Sequence, residues 1–171
     1  KAGISLETAK RLRGKGFIGT TVRSTCPYGH DQKHTLKMAI AGRAGPMDQF
    51  VDYSDDAGTT ILSFYDFVRS ILDQIGNGTP GNRRCFTMDN LLAHKHQTVL
   101  QLIQQRGHRF VFRAPYYPVD GPIEYVFQTI EAEVSICMHE INGEDNLRTH
   151  VIAIINNIPD FTNYFYNVGF R

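Results

Sequence analysis

Apolar residues recur at every second position in some stretches of this chain and at helical spacing in others, in an order that restricts the fold. Residues 34–41 set Leu36, Met38 and Ile40 between polar neighbours, the pattern of a half-buried strand. Residues 17–25 are rich in β-branched types and read as a strand before it, with Cys26 to Asp31 as a hairpin turn. After a turn at Gly42 to Pro46, residues 48–53 suit a third, shorter strand. Then the period changes. Ile61, Phe64, Tyr65, Val68, Ile71, Leu72 and Ile75 mark a helix, with Thr59 or Thr60 as N-cap and Gly76 as its stop. Arg84 to Met88 is a short strand closing on Asp89-Asn90. Residues 95–106 read as a helix with Val99, Leu102 and Ile103 inward, stopped by Gly107, and His108 to Arg113 alternates again as a strand. The turn-rich segment Ala114 to Pro122 leads into a helix striped by Ile123, Phe127, Ile130, Val134 and Cys137, broken at Asn142-Gly143. A last helix covers residues 145–157, and Tyr164 to Asn167 reads as packing or a sheet edge. Strands first, then alternating helices and strands, predict one mixed α/β sheet with helices on its faces.

The 171 residues suit a single domain that can bury a core without staples. No apolar run approaches the ~20 residues that span a bilayer. No stretch has the order of a signal peptide. Cys26, Cys85 and Cys137 form no C-x-x-C pair, so neither a zinc ribbon nor a disulfide framework is suggested; reduced, mostly buried thiols in an intracellular setting are expected. Net charge is only +1, but residues 1–37 carry eight Lys/Arg against two acids, and the remainder ten against fifteen. Lys10, Arg11, Arg13 and Lys15 fall within six positions. This cluster fits phosphate contact and plain solvated surface equally well.

Two acids stand where a sheet-based active site would put them. Asp89 follows an apolar strand, and open α/β sheets build their sites at the carboxyl ends of strands. Asn90, next to it, can orient a carboxylate or donate to a phosphate. Glu124 lies in the first turn of the helix opened by Pro122, where proline fits and the helix dipole favours an acid. An ordinary helix-start acid satisfies that observation too. Glu124 stands roughly 100° around the helix from Ile123, at the margin of the apolar stripe, within reach of a site between helix and sheet.

Phe86-Thr-Met-Asp89-Asn90 followed by Ala93-His94-Lys95 resembles the second catalytic segment of mariner-like and related insertion-sequence transposases. Ala114-Pro-Tyr-Tyr-Pro-Val-Asp-Gly-Pro-Ile-Glu124 resembles their third, and the thirty-four residues between Asp89 and Glu124 match the Asp-Asp-Glu subgroup. Ala2 to Gly19 resembles the stretch after the family's first catalytic Asp, which would stand at or just before residue 1. Glu7 and Asp31 are weak substitutes for it. Two departures are Gly121, where the family usually has Asn, and Tyr117 in place of Ser.

The resemblance implies an RNase H-like fold, here expected to lack its first, central strand through N-terminal truncation. It implies a DDE endonuclease domain spanning 1–171 that cuts and joins DNA with a pair of Mg2+ or Mn2+ ions. Two cations can clamp the attacking and leaving oxygens of a phosphodiester, and a few convergent carboxylates hold them. Asp89 and Glu124 would be catalytic and metal-binding, with Asn90 and His94 in support. Lys10, Arg11, Arg13, Lys15, Arg109 and Arg113 are candidates for DNA contact. With two of three acids, the fragment itself is expected to be poorly stable and to cut poorly or not at all. By resemblance the full-length protein would carry an upstream helix-turn-helix domain and act as a homodimer on transposon ends and target DNA. It would work in the nucleus of a eukaryote or the cytoplasm and nucleoid of a bacterium. The alternative is a decayed or domesticated, inactive transposase-derived domain that still binds nucleic acid. A resolvase or hybrid nuclease of the same fold is a third class, disfavoured by the Pro-Ile-Glu segment.

Overall fold

A computed structural model describes residues 2–4, 34–42, 49–54, 58–114, 121–137, 140–141 and 144–169. Its elements run β1 (Ala2–Ile4), β2 (His34–Ile40), β3 (Gln49–Ser54), α1 (Ile61–Ile75), β4 (Cys85–Met88), α2 (Gln97–Gln105), β5 (Arg109–Phe112), α3 (Pro122–Cys137), α4 (Glu144–Asn156) and α5 (Thr162–Asn167). The expected strand at 17–25 lies outside the described residues. So do the turn at 26–31, Glu7 and Tyr117.

The β2–β3 hairpin shows how residue alternation builds two cores at once. The strands pair antiparallel with Leu36 opposite Tyr53, Lys37 opposite Asp52 and Ala39 opposite Phe50. Successive side chains point to opposite faces. Leu36, Met38 and Tyr53 therefore join α3 and α4 in one cluster, with Val126, Phe127, Ile130, Val134, Leu147, Val151 and Ile155. Ala39 and Phe50 face a second cluster made by α1, β4 and α2, which contains Phe64, Phe67, Val68, Ile71, Leu72, Met88, Val99 and Ile103. Lys37 is buried on that second face, and the cross-strand Asp52 carboxylate, 2.5 Å from its Nζ, compensates the charge. Each fully buried Leu, Ile or Val contributes about 1.5–3 kcal/mol, so both cores hold their helices by burial rather than by polar contacts.

The ends of α1 follow from local chemistry. Thr60 accepts from the Ser63 N–H and Ser63 Oγ accepts from the Thr60 N–H, a reciprocal capping box. Gly76 closes the helix at φ 76°, a left-handed conformation that side chains resist. Gly78 and Gly107 then meet backbone to backbone, with the Gly78 N–H donating to the Arg106 carbonyl at 2.7 Å. A Cβ on Gly78 would sit 2.3 Å from the Gly107 oxygen, so the approach of the α1 exit to the α2 exit requires glycine. Buried His108 pins the same region: its Nε2 reaches the Gly76 carbonyl at 2.9 Å and its Nδ1 accepts from the Arg84 N–H at 3.1 Å.

Three expectations change. The described strands form a three-stranded antiparallel sheet (β1-β2-β3) and a two-stranded parallel sheet (β4-β5), not one continuous sheet. No described strand hydrogen-bonds to both. Residues 162–167 are helical: Phe161 is buried, Phe165 packs against the α3–α4 core, and the Tyr164 hydroxyl lies 3.2 Å from Thr129 Oγ1 on α3. Cys85 is exposed and Cys137 half-buried, because Cys85 points to the open side of β4 and Cys137 ends α3; Cys26 lies outside the described residues.

Candidate active site at the ends of β4 and α3

β4 and β5 pair parallel, Cys85 with Arg109 through Met88 with Phe112. The Arg113 N–H extends the ladder by one step to the Met88 carbonyl at 2.8 Å. Both strands therefore stop at the same level, and the next residues, Asp89-Asn90 and Arg113, leave the sheet side by side. Asn90 fastens them: its Nδ2 donates to the Arg113 carbonyl at 2.6 Å.

Asp89 is fixed by its own downstream chain. Its Oδ1 accepts the Leu91 N–H at 3.1 Å, a short Asx-type turn. The chain then coils, with the His94 N–H on the Leu91 carbonyl at 3.0 Å, and returns the His94 ring to the carboxylate. His94 Nδ1 stands 2.5 Å from Asp89 Oδ1. That nitrogen is buried, and the Asp89 carboxylate is the charged group beside it. The imidazole packs against the Phe64 ring of α1 at 4.0 Å between centroids, which fixes its plane. The hydrogen bond from His94 holds the Asp89 carboxyl down at about 2, helped by the Leu91 N–H and the charge of His94, against a partial rise from burial. Asp89 is thus an ionised, half-exposed carboxylate at any ordinary pH.

Glu124 stands on another element, at the start of α3. Pro122 opens α3, and the Glu124 N–H closes the first turn on the Gly121 carbonyl at 3.0 Å. Glu124 Oε1 accepts from Arg113 Nη1 at 3.2 Å. The Arg113 side chain is only 10% exposed, whereas Glu124 is 37% exposed. The Asn90 side chain, beside Asp89, therefore holds the Arg113 backbone carbonyl, and the Arg113 guanidinium in turn holds Glu124. Gly121 explains the arginine's position: a Cβ there would fall 2.2 Å from Arg113 Nη1.

A family model described as DDE superfamily endonuclease matches residues 1–148. The chain belongs to that family. It is an endonuclease domain of the transposase type. No curated protein and no solved structure matches it.

In this endonuclease domain the four residues expected at the centre, Asp89, Asn90, His94 and Glu124, lie in one neighbourhood or are linked to it by Arg113. Lys10, Arg11, Arg13 and Lys15 lie outside the described residues. Strand alternation holds for Arg109 and Val111, which are exposed. It fails at Arg113, which follows the last residue of β5 and turns inward to Glu124 instead of sharing the Arg109 face. Arg106 pairs with Asp73 of α1 as a surface ion pair. Sequence reasoning missed Arg113 as a carboxylate partner. The signal was the glycine at position 121, which leaves room for a guanidinium that a larger residue would exclude. Among the described residues no three His, Cys, Asp or Glu side chains converge as a metal-ligand group, and no helix is long and apolar enough to cross a membrane.

Proposed function

We propose that the domain catalyses divalent-metal-dependent cleavage of DNA and transfer of the freed end, the DDE transposition chemistry on an RNase H-like scaffold. The observation that carries this reading is the Asp89 carboxylate, ionised and half-exposed at the end of a parallel strand, linked through Asn90 and Arg113 to the half-exposed Glu124.

The donor chemistry suits a hard cation. Magnesium and manganese prefer carboxylate oxygens and tolerate few protein ligands because they keep water. Asp89 and Glu124 supply two such ligands, and a third carboxylate would come from residues outside those described. When bound, the cations supply positive charge at the attacking and leaving oxygens of the phosphodiester. The chain's own residues set the geometry. His94, clamped on Phe64, keeps the Asp89 carboxylate in one orientation and ionised. Such partners of a ligand hold it in place and tune it. Asn90 joins the ends of β4 and β5, so Asp89 cannot drift relative to Arg113. In cleavage a water oxygen attacks phosphorus in line and the 3′-oxygen leaves. In transfer that 3′-hydroxyl attacks a target phosphodiester and displaces its 3′-oxygen. Neither step needs a covalent protein–DNA link.

The exposed Arg109, with Lys10, Arg11, Arg13 and Lys15, would meet DNA phosphates, and the whole protein would act as a homodimer on transposon ends and target, within the nucleus or nucleoid. The test is strand transfer by the full-length protein on its own element ends in Mg2+. Loss of product in both Asp89→Ala and Glu124→Ala supports the reading. Activity close to wild type in either variant contradicts it.

A further inference from the structure

We infer that Arg113 is a positioning residue for Glu124, seated by Gly121, and that it sets Glu124 at the expense of metal affinity. The inference rests on the reading of Glu124 as a metal-binding carboxylate.

Arg113 is anchored twice by its backbone, through its N–H to Met88 at the end of β4 and through its carbonyl to Asn90. Its guanidinium reaches Glu124 Oε1 on α3. One residue thus ties the strand end that carries Asp89 to the helix start that carries Glu124, two elements thirty-four residues apart in sequence. The guanidinium engages Glu124 through Oε1, and the carboxylate stays 37% exposed, open to an incoming cation. The side chain of Arg113 is nearly buried, and the space it fills exists because position 121 lacks a Cβ. A side chain there displaces the far end of a flexible arginine and not backbone, so the fold survives while the contact is lost.

Charge and geometry then act in opposite directions. A guanidinium beside the carboxylate repels an incoming divalent cation, strongly so where water is partly excluded. The same guanidinium holds the carboxylate in one place, and misplacement of a catalytic group is expensive in rate. Arginine presents a planar fork, whereas lysine offers a point charge on a flexible stem. The two contributions can therefore be separated by substitution.

The experiment uses the full-length protein with Mn2+ alone, its dissociation constant read from the electron paramagnetic resonance of free Mn2+. Nicking of supercoiled plasmid at saturating Mn2+ gives the rate, and a thermal melt checks folding. Arg113→Gln is expected to tighten Mn2+ binding about three- to tenfold while slowing nicking about tenfold or more. Arg113→Lys keeps the charge, so its Mn2+ affinity stays near wild type while its nicking rate falls. Gly121→Ala moves the guanidinium off Glu124 and shifts both readings in the direction of Arg113→Gln, by less in affinity. A merely structural arginine would weaken Mn2+ binding, rate and melting together, and that pattern overturns the inference, as does unchanged affinity in Arg113→Gln. Glu124→Gln separates the two failures. If it weakens Mn2+ binding and the Arg113 and Gly121 variants do nothing, this inference alone falls. If it leaves Mn2+ binding unchanged, the metal-site reading falls with it. Should Arg113→Gln fail to melt cooperatively, Arg113→Lys and Gly121→Ala decide the matter.

Discussion

The end of β4 and the start of α3 each present a half-exposed carboxylate, and they hold it by opposite means. Asp89 is secured from within its own segment: Leu91 two residues on, His94 five residues on, and a single distant prop in Phe64. Glu124 is secured from outside, by an arginine on the neighbouring strand end that a glycine admits. Each also stands on a different core, β4 over the α1–α2 cluster and α3 over the β2–α4 cluster. A locally held carboxylate is oriented by a few residues of contiguous chain. A remotely held one depends on the whole packing that brings two elements together, and is adjustable for that reason.

The sharpest way to break this comparison is to remove each acid in turn. Asp89→Ala and Glu124→Ala should each lower strand cleavage by more than about a thousandfold, because several kcal/mol of charge stabilisation is lost. The double variant should be little worse than either single, as for groups that act as a unit. Additive losses in cleavage assays would mean that the two carboxylates work separately. Next come the cores. Ile103→Ala in the core that carries β4 and Ile130→Ala in the core that carries α3 both remove fully buried side chains, and each should cost about 2–5 kcal/mol in urea unfolding. At a temperature where both variants remain folded, Ile130→Ala should reduce activity more than Ile103→Ala, since Glu124 depends on remote packing. Equal losses would erase the distinction.

His94→Ala probes the local support of Asp89 and should reduce cleavage by about 10–100-fold, the usual cost of losing a ligand's hydrogen-bond partner. A rate within twofold of wild type would show that the Leu91 turn suffices. The smallest effect is on acid stability. The folded Asp89 titrates at about 2 against an ordinary value of 3.8, so its contribution is present above the ordinary value and disappears as pH falls through 2. Asp89 is half-exposed, and solvent screening keeps that contribution below about 1 kcal/mol. Unfolding of wild type and His94→Ala across this acid range should show their stabilities drawing together as pH drops. A constant gap would place the effect of His94 in packing on Phe64.

The same contrast governs what the sequence discloses. α1 is legible at both ends, because Thr60 and Gly76 act through their own backbone neighbours. The strand ending at Met88 before Asp89, and the helix opening at Pro122 before Glu124, are legible for the same reason. His94 is placed near Asp89 by the family resemblance, and in the structure a short turn brings it there. The inward turn of Arg113 is not legible: alternation through residues 108–113 sets it on the Arg109 face, and only the end of β5 releases it. The helix at 162–167 hides as well, since its Asn- and aromatic-rich sequence has weak helix propensity and is held by burial of Phe161 and contact with Thr129. The separation of the strands into two sheets is a long-range property that no local pattern encodes.

DDE chemistry in this domain requires Asp89 and Glu124 to share divalent cations. Anomalous diffraction from crystals of the full-length protein soaked in Mn2+ reads this directly. A manganese peak in contact with carboxylate oxygens of both residues is expected. Peaks that touch neither, or an Asp89 and a Glu124 too far apart to share a pair of ions, would contradict it.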